Sequence, residues 1–116
     1  MRYLLLIYNE ERGWADMSEA EQAAQLPRWS AYSDSLQSAG ILRGGDALQP
    51  VASATTVRVR DGETQLTDGP FAETREQLGG YYMVECDTLD QAIEAASRIP
   101  SVDRGSVEVR PIMEFD

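Results

Sequence analysis

The segment from Tyr3 to Tyr8 is apolar on both faces of the β-strand that it predicts. Successive side chains of a strand point to opposite faces, and both sets here consist only of Tyr, Leu and Ile residues. A strand with one face in water alternates apolar with polar residues, whereas a strand that is apolar throughout needs cover on both sides. We therefore expect a central strand with a packing layer on each side of its sheet. The segment from Tyr81 to Cys86 predicts a second strand of the same kind.

A first helix is predicted from its N-terminal signal. Ser18 and Glu21 have the spacing of a capping box, in which the Ser hydroxyl accepts a backbone amide and the Glu carboxylate reaches back. The helix should begin near Glu19, with a kink or a short break at Pro27, and end at Gly40.

A second helix is predicted from Thr88, which forms another capping box with Gln91. Pro100 ends it. Its apolar residues recur at helical spacing and are expected to face the core; they are Leu89, Ala92, Ile93 and Ala96.

A β-hairpin is predicted between the two helices. Thr55 to Arg60 alternates, the dipeptide Asp61-Gly62 is a strong two-residue turn signal, and Glu63 to Thr67 returns. This register sets Val57 opposite Leu66, with valines on one face of the hairpin and arginines on the other.

The order of elements predicts an α+β fold. A short extended segment ends at Pro50, and a last strand runs from Ser106 to Met113. The simplest arrangement is a ferredoxin-like sandwich, with a mainly antiparallel sheet and two helices on one face. We expect one domain over residues 1–116, because single domains typically hold about 100–150 residues.

Two helices on one face leave the other face of this sheet uncovered. Monomeric proteins rarely expose apolar patches larger than about a few hundred Å². We therefore predict a homodimer whose two sheets face each other.

Charge and residue types exclude several functions. The chain has 10 basic residues, all arginine, against 20 acidic residues and no histidine, which gives a net charge of −10. Without lysine there is no Schiff base and no P-loop, and without histidine the commonest general base and metal ligand are missing. The negative charge repels phosphate backbones, so direct nucleic-acid binding is not expected. The chain has no run of about 18 apolar residues, so no membrane span is predicted.

Cys86 is the only cysteine, so no intramolecular disulfide forms. The first apolar run stops at Asn9, before it reaches the length of a signal peptide. We expect a cytoplasmic protein. The neighbouring Glu85 and Asp87 oppose formation of a thiolate. Cys86 is therefore expected to be a packed core residue rather than a nucleophile.

The segment from Asp68 to Gly80 is the densest in turn-forming and charged residues, and two interpretations are open. As a connection, Asp68 accepts local amide bonds, Gly69-Pro70 fixes a turn and Phe71 plugs the core. As a site, Asp68 is a general base or a ligand anchor and Arg75 is an anion clamp. The carboxylates of Asp68, Glu73 and Glu76 match no calcium-loop spacing, so we predict neither a metal nor a cofactor.

The same segment carries a family resemblance. The letters DGPF at 68–71, followed by AETREQLGGYY at 72–82, resemble the DGPF branch of the YCII-related family. Four further blocks are similar to this family, in the same order, and the likeness covers nearly the whole chain; they are Met1–Tyr8, Gly44–Pro50, Thr55–Arg58 and Gly105–Pro111.

The resemblance implies a ferredoxin-like domain that forms a dimer of the dimeric α/β-barrel type, in a bacterium. It also implies a link to sigma-factor regulation, because relatives of this branch are often encoded beside extracytoplasmic-function sigma factors. In other YCII-like proteins a His–Asp pair has been proposed as catalytic. This chain supplies Asp68 but no histidine, so the enzyme label of the superfamily does not transfer intact.

Three functions follow as hypotheses. The first is a small cytoplasmic dimeric binding or accessory protein, with an unidentified small-molecule ligand in a pocket between sheet and helices near Asp68. The second is an enzyme of proton-transfer or lyase type on a small polar molecule, with Asp68 as the acid/base and Tyr82 or Tyr8 as the proton donor. The third is a protein-interaction module without a ligand.

Five residues are candidates for ligand binding. Arg43 and Asp46 flank Gly44-Gly45, whose amides are candidates for an anion site, and Arg43 or Arg75 would hold an anionic group. The full set is Tyr8, Arg43, Asp46, Phe71 and Arg75.

Overall fold

Six strands and three helices make up the computed structural model, which describes residues 1–115. In chain order they are β1 (Arg2–Asn9), α1 (Glu11–Ala15), α2 (Glu19–Ser38), β2 (Leu42–Ala47), β3 (Thr55–Arg60), β4 (Glu63–Asp68), β5 (Gln77–Glu85), α3 (Leu89–Ser97) and β6 (Ser106–Pro111). A short 3-10 turn, Val51–Ser53, lies between β2 and β3. None of the helices within residues 1–115 has both the length and the apolar character needed to cross a membrane.

The main sheet has the strand order β2-β5-β1-β6, and every neighbouring pair is antiparallel. The segments β1-α2-β2 and β5-α3-β6 are two split β-α-β units, each holding a strand of the other unit between its own two strands. The predicted ferredoxin-like α+β fold is therefore confirmed.

The core lies between this sheet and the helices α2 and α3. Tyr3, Leu5 and Ile7 of β1 are buried in one cluster with side chains from both helices. Cys86 is also buried there, as predicted, and burial raises the pKa of its thiol.

The opposite side of the sheet forms what we call the open face. Its central side chains alternate with the buried ones along β1 and β5, and each is only half-buried. They pair across the two strands as Leu4 with Met83 and Leu6 with Tyr81. The two-faced character of β1 is thus confirmed, and no helix within residues 1–115 packs on the second apolar face of a single subunit.

Both predicted helices form, but two details differ from the prediction. Ser18 and Glu21 form both hydrogen bonds of the capping box, and α2 continues through Pro27 without a break. Thr88 accepts the amide of Gln91, but the Gln91 side chain accepts from Asp87 rather than from Thr88.

The prediction for the buried side of α3 was partly wrong. Leu89 and Ile93 are exposed, whereas the core contacts come from Ala92, Ala95 and Ala96. Small alanines let the helix lie close to the sheet, so the buried stripe follows the smaller side chains rather than the larger ones.

The start of one strand also differs from the prediction. Strand β5 begins at Gln77, four residues before the predicted Tyr81, because Gln77, Leu78 and Gly80 pair with β1. A Cβ at residue 80 would lie 2.9 Å from the carbonyl oxygen of Asp46, so the glycine permits β2 to approach β5 closely. The helix α1 was not predicted.

The predicted hairpin is confirmed in its register, with Val57 opposite Leu66 and Arg60 opposite Glu63. We call this hairpin, Thr55–Asp68, the arm, because it forms a separate two-stranded sheet outside the main one. The radius of gyration is 16.3 Å, whereas a compact chain of this length has about 13 Å. The arm therefore extends away from the rest of the subunit.

Alkaline pH is expected to destabilise the fold through Tyr32. Its hydroxyl donates to the carbonyl oxygen of Ala95 at 2.7 Å, and burial raises its pKa above the ordinary value of 10.0, although Arg98 acts in the opposite direction. The unfolded chain loses this proton near pH 10 while the folded chain keeps it. The stabilisation is therefore complete below pH 10 and is lost as the pH rises further.

Urea unfolding of the wild type and of Tyr32→Phe between about pH 8 and pH 11 measures this effect. The free energy of unfolding should fall less steeply with pH in the variant, which also loses about 1 kcal/mol at neutral pH with the hydrogen bond. Parallel pH profiles for the two proteins would contradict the assignment.

Candidate functional site

An apolar cleft of about 970 Å³ opens where the arm joins the main sheet. Three segments form its walls, namely the end of β1 at Tyr8, the connection from Leu48 to Thr56, and the stretch from Pro70 to Leu78. No residue of α2 or α3 lines it within residues 1–115. The cleft thus lies away from the space between sheet and helices, which is where the first hypothesis places the pocket.

A β-bulge brings the cleft next to the open face. Ile7 pairs with Gly80 but Tyr8 pairs with Leu78, which leaves Gly79 as an extra residue in β5. An extra residue reverses the alternation of a strand, so Leu78 lies on the same face as Tyr8. Tyr8 also continues the row of Leu4 and Leu6 along β1, and the cleft is therefore continuous with the open face.

Hydrogen bonds hold the connection from β2 to β3 against α1. Glu11 is the link, since its backbone amide donates to Gln77 Oε1 at 3.0 Å and its carboxylate accepts the amide of Val51 at 2.9 Å. Leu48 donates its amide to the Gly79 carbonyl at 2.9 Å. These contacts place the apolar side chains of Leu48 and Val51 along one wall of the cleft.

Tyr8 presents the best-positioned polar group of the site. Its hydroxyl donates to Glu108 Oε1 at 3.3 Å, and Glu108 is in turn held by Arg110. Burial, followed by the nearby Glu108 carboxylate, raises the pKa of Tyr8, while Arg110 lowers the pKa of Glu108. Tyr8 is therefore a neutral hydrogen-bonding group at ordinary pH, and Glu108 is a carboxylate.

The lining of the cleft is mostly apolar. Its apolar residues are Leu48, Pro50, Val51, Ala54, Pro70, Phe71, Ala72 and Leu78. Its charged residues within the described chain are Glu73 and Glu76, with no arginine among the lining side chains. Ser106 donates to Glu76 Oε1 at 2.8 Å. The cleft is thus suited to an uncharged or cationic apolar molecule and unfavourable for an anion.

Two of the predicted site residues, Tyr8 and Phe71, meet at this cleft. The prediction that Phe71 plugs the core was wrong, because its side chain is 78% exposed. The backbone carbonyl of Phe71 accepts from Arg58 at 3.3 Å, which ties this loop to the arm.

Asp68 and Arg75 lie close to the cleft in sequence but do not line it. Asp68 ends β4, opposite Thr55, and its side chain is exposed on the arm. The Arg75 side chain is 92% exposed and makes an ion pair with Glu10 at 3.3 Å. Their predicted roles as acid/base and anion clamp remain predictions.

Tyr82 lies on the other side of the sheet from Tyr8. Its hydroxyl shares a 2.7 Å hydrogen bond with Ser33 Oγ, and its ring meets the edge of Tyr32 with centroids 5.2 Å apart. The structure does not bring Tyr82 together with Asp68, which is on the arm.

Arg43 and Asp46 are held by other partners. Arg43 pairs with Glu85 at 3.2 Å and donates to the carbonyl of Gly40, in a second groove at the far end of β2. Asp46 accepts from the Tyr81 hydroxyl at 2.9 Å, and this bond raises the pKa of Tyr81.

Sequence reasoning missed most of the apolar wall, above all Leu48, Val51 and Leu78. Leu48 and Val51 lie in an irregular segment around Pro50, without the periodicity that marks a packed face. Leu78 precedes two glycines, a pattern that predicts a loop rather than a strand. Among residues 1–115, no three Asp, Glu or Cys side chains come together as a metal site requires.

Comparisons with known proteins agree on one family. A model of the YCII-related domain matches residues 1–116. A curated relative, an uncharacterised protein of Rhizobium meliloti (strain 1021), is 39% identical over 114 residues, which cover 97% of this chain and 92% of the relative.

Proposed function

Because the chain belongs to the YCII-related family, as its match over residues 1–116 shows, we propose that it is a small cytoplasmic homodimeric binding protein. In this proposal two subunits join through their open faces, and each cleft holds a small apolar molecule. The continuity of the open face with the cleft, through Tyr8, is the observation that carries the proposal.

The dimer is supported by the two-faced strands. The open face exposes four central side chains that are apolar or aromatic, and water would contact them in an isolated subunit. The charged groups of this face have partners within the subunit, Glu108 with Arg110 and Asp46 with the Tyr81 hydroxyl, and this lowers the cost of covering them with a second copy.

Two features of the cleft support this class of ligand, namely its apolar lining and the carboxylates of Glu73 and Glu76. Burial of an apolar body gives affinity in proportion to the area removed from water. While it donates to Glu108, the Tyr8 hydroxyl oxygen can still accept a hydrogen bond from a polar group of the ligand. Glu73 and Glu76 disfavour an anion by repulsion.

The resemblance of 68–71 to the DGPF branch supports a further part of the proposal, a link to sigma-factor regulation. A binding protein without a nucleophile and histidine pair fits an accessory role better than a hydrolytic one. The enzyme hypothesis keeps its own test, since turnover of a bound ligand would distinguish it from simple binding.

Binding of the neutral apolar dye Nile red tests the cleft. Dye fluorescence on titration should reveal a site that Phe71→Ala weakens by about tenfold, because part of the buried area is lost. Phe115→Ala is the matched control, since Phe115 is also an exposed phenylalanine but does not line the cleft. An anionic dye should bind more weakly than Nile red to the wild type.

Equal binding of Nile red by Phe71→Ala and Phe115→Ala would overturn the cleft as the ligand site. The same titration on Asp68→Ala tests the predicted role of Asp68 as a ligand anchor, which requires a loss of affinity. Failure of every small molecule to bind, together with a specific protein partner, would favour the interaction-module hypothesis.

A further inference from the structure

The arm carries an apolar face that the described part of its own subunit, residues 1–115, leaves exposed. Val57 is 60% exposed and Leu66, directly opposite, is 68% exposed. Val59 lies on the same face and is similarly exposed. An isolated two-stranded hairpin is only marginally stable in water, so a regular arm with one apolar face is expected to pack against something.

The other face of the arm is polar. It carries Arg58 opposite Gln65 and Arg60 opposite Glu63. Arg58 also reaches back to the Phe71 carbonyl, which fixes the base of the arm to the cleft loop. The arm is therefore an amphipathic hairpin. Its valine face, with Val57 and Val59, is available for burial, and its arginine face, with Arg58 and Arg60, is polar.

The shape of the subunit limits what the valine face can meet. The extents are 48 × 48 × 18 Å, so the subunit is a slab about as thick as one sheet with one layer of helices. The arm lies within this slab and does not fold over its own open face or its own helices. Its two strands form a sheet separate from the main one, and its base lines the cleft that is continuous with the open face.

The area of the open face alone falls short of what a stable dimer needs. Four strands about 4.8 Å apart, with about six residues each at about 3.4 Å, give a flat area of about 400 Å². A stable interface of standard size buries about 800 Å² on each partner. One face of the arm adds about 200 Å² by the same spacing, and the surface that receives the partner's arm adds as much again. The open face, the arm and the surface that receives the partner's arm together bring the area on each subunit to about 800 Å².

We infer that the valine face of the arm packs on a second copy of this chain, so that each subunit of the dimer is clasped by the arm of the other. This inference rests on the proposed dimer and adds to it the surface that completes the interface. Because the arm and the cleft share the residues Thr55 and Thr56, an arm held by the partner would also fix one wall of the ligand cleft.

Sedimentation equilibrium of charge variants in the arm tests the inference. Val57→Glu places a carboxylate on the valine face and should raise the dissociation constant of the dimer by about 30-fold or more. Gln65→Glu adds the same charge on the arginine face of the same hairpin, beside Arg58, and should change it by less than about threefold. Val57→Thr keeps the β-branched shape and should give an intermediate value.

Val57→Glu could weaken the dimer simply by unfolding the hairpin. Hydrogen exchange of the wild type tests the inference without a substitution. The amides of 55–68 should exchange at least about tenfold more slowly well above the dissociation constant than well below it. If the wild type dimerises but Val57→Glu matches Gln65→Glu and arm exchange is independent of concentration, the inference is overturned and the dimer stands. If the wild type is a monomer at about 100 µM, the proposed dimer fails and the inference fails with it.

Discussion

Replacing Leu6 by arginine is expected to convert the proposed dimer into folded monomers. Leu6 lies at the centre of the open face, directly between Tyr81 on β5 and Glu108 on β6. In a monomer the new guanidinium has water in front of it and the Glu108 carboxylate beside it. In a dimer through the open faces, charges from both subunits would be buried near the same centre, at a cost of several kcal/mol per unpaired ion.

We expect the dissociation constant of Leu6→Arg to rise by at least about 1,000-fold, which corresponds to about 4 kcal/mol. Sedimentation velocity over a concentration series measures it, and circular dichroism checks that the subunit remains folded. The control is Leu26→Arg, the same change on α2, where the leucine is 63% exposed. A dimer of unchanged strength in Leu6→Arg would rule out the open face as the interface.

Replacing Gly105 by alanine is expected to be one of the most destabilising small changes in the chain. A Cβ at this position would lie 2.1 Å from the backbone carbonyl oxygen of Tyr8 and 2.9 Å from the Cβ of Asn9. Neither group can move without shifting the end of β1, because Tyr8 pairs with both Leu78 and Ser106. Overpacking of this kind costs about 3 kcal/mol.

Chemical denaturation of Gly105→Ala at a fixed protein concentration measures this loss, and the concentration is held constant because dimerisation contributes to stability. Gly79→Ala is the matched control, since its Cβ would meet only ordinary contacts at 3.7 Å and beyond. The control should change stability by less than about 1 kcal/mol. Equal losses in the two variants would show that the close approach of β1 to residue 105 is not what constrains this position.

The fold followed from local signals that act within a few residues of each other. The Asp61-Gly62 turn, with φ of 53° and 79°, leaves the arm only one register. The capping pair Ser18 and Glu21 starts α2 where it was expected. Each of these features depends on neighbours in sequence, so a single sequence is sufficient to predict it.

The candidate site was harder to predict because its walls come from distant parts of the chain. Tyr8 and Phe71 were selected for their chemistry, and both line the cleft. Asp68 and Tyr82 were selected on the same grounds, yet one lies on the arm and the other faces α2. Residue type indicates what a side chain is capable of, but only its place on a sheet face decides which side chains it meets.

The apolar side chains on both faces of β1 already required two packing layers, since water on either face would leave a row of large hydrophobic side chains exposed. The sequence by itself therefore determined the α+β sandwich, the central position of β1 and the need for cover on a second face. Only the tertiary structure decided where the cleft lies, because a single extra residue, Gly79, reverses the alternation of β5 and joins Leu78 to Tyr8. It also decided that the arm stands apart from its own subunit, since that depends on which strands pair across the whole chain rather than on the pattern within any one of them.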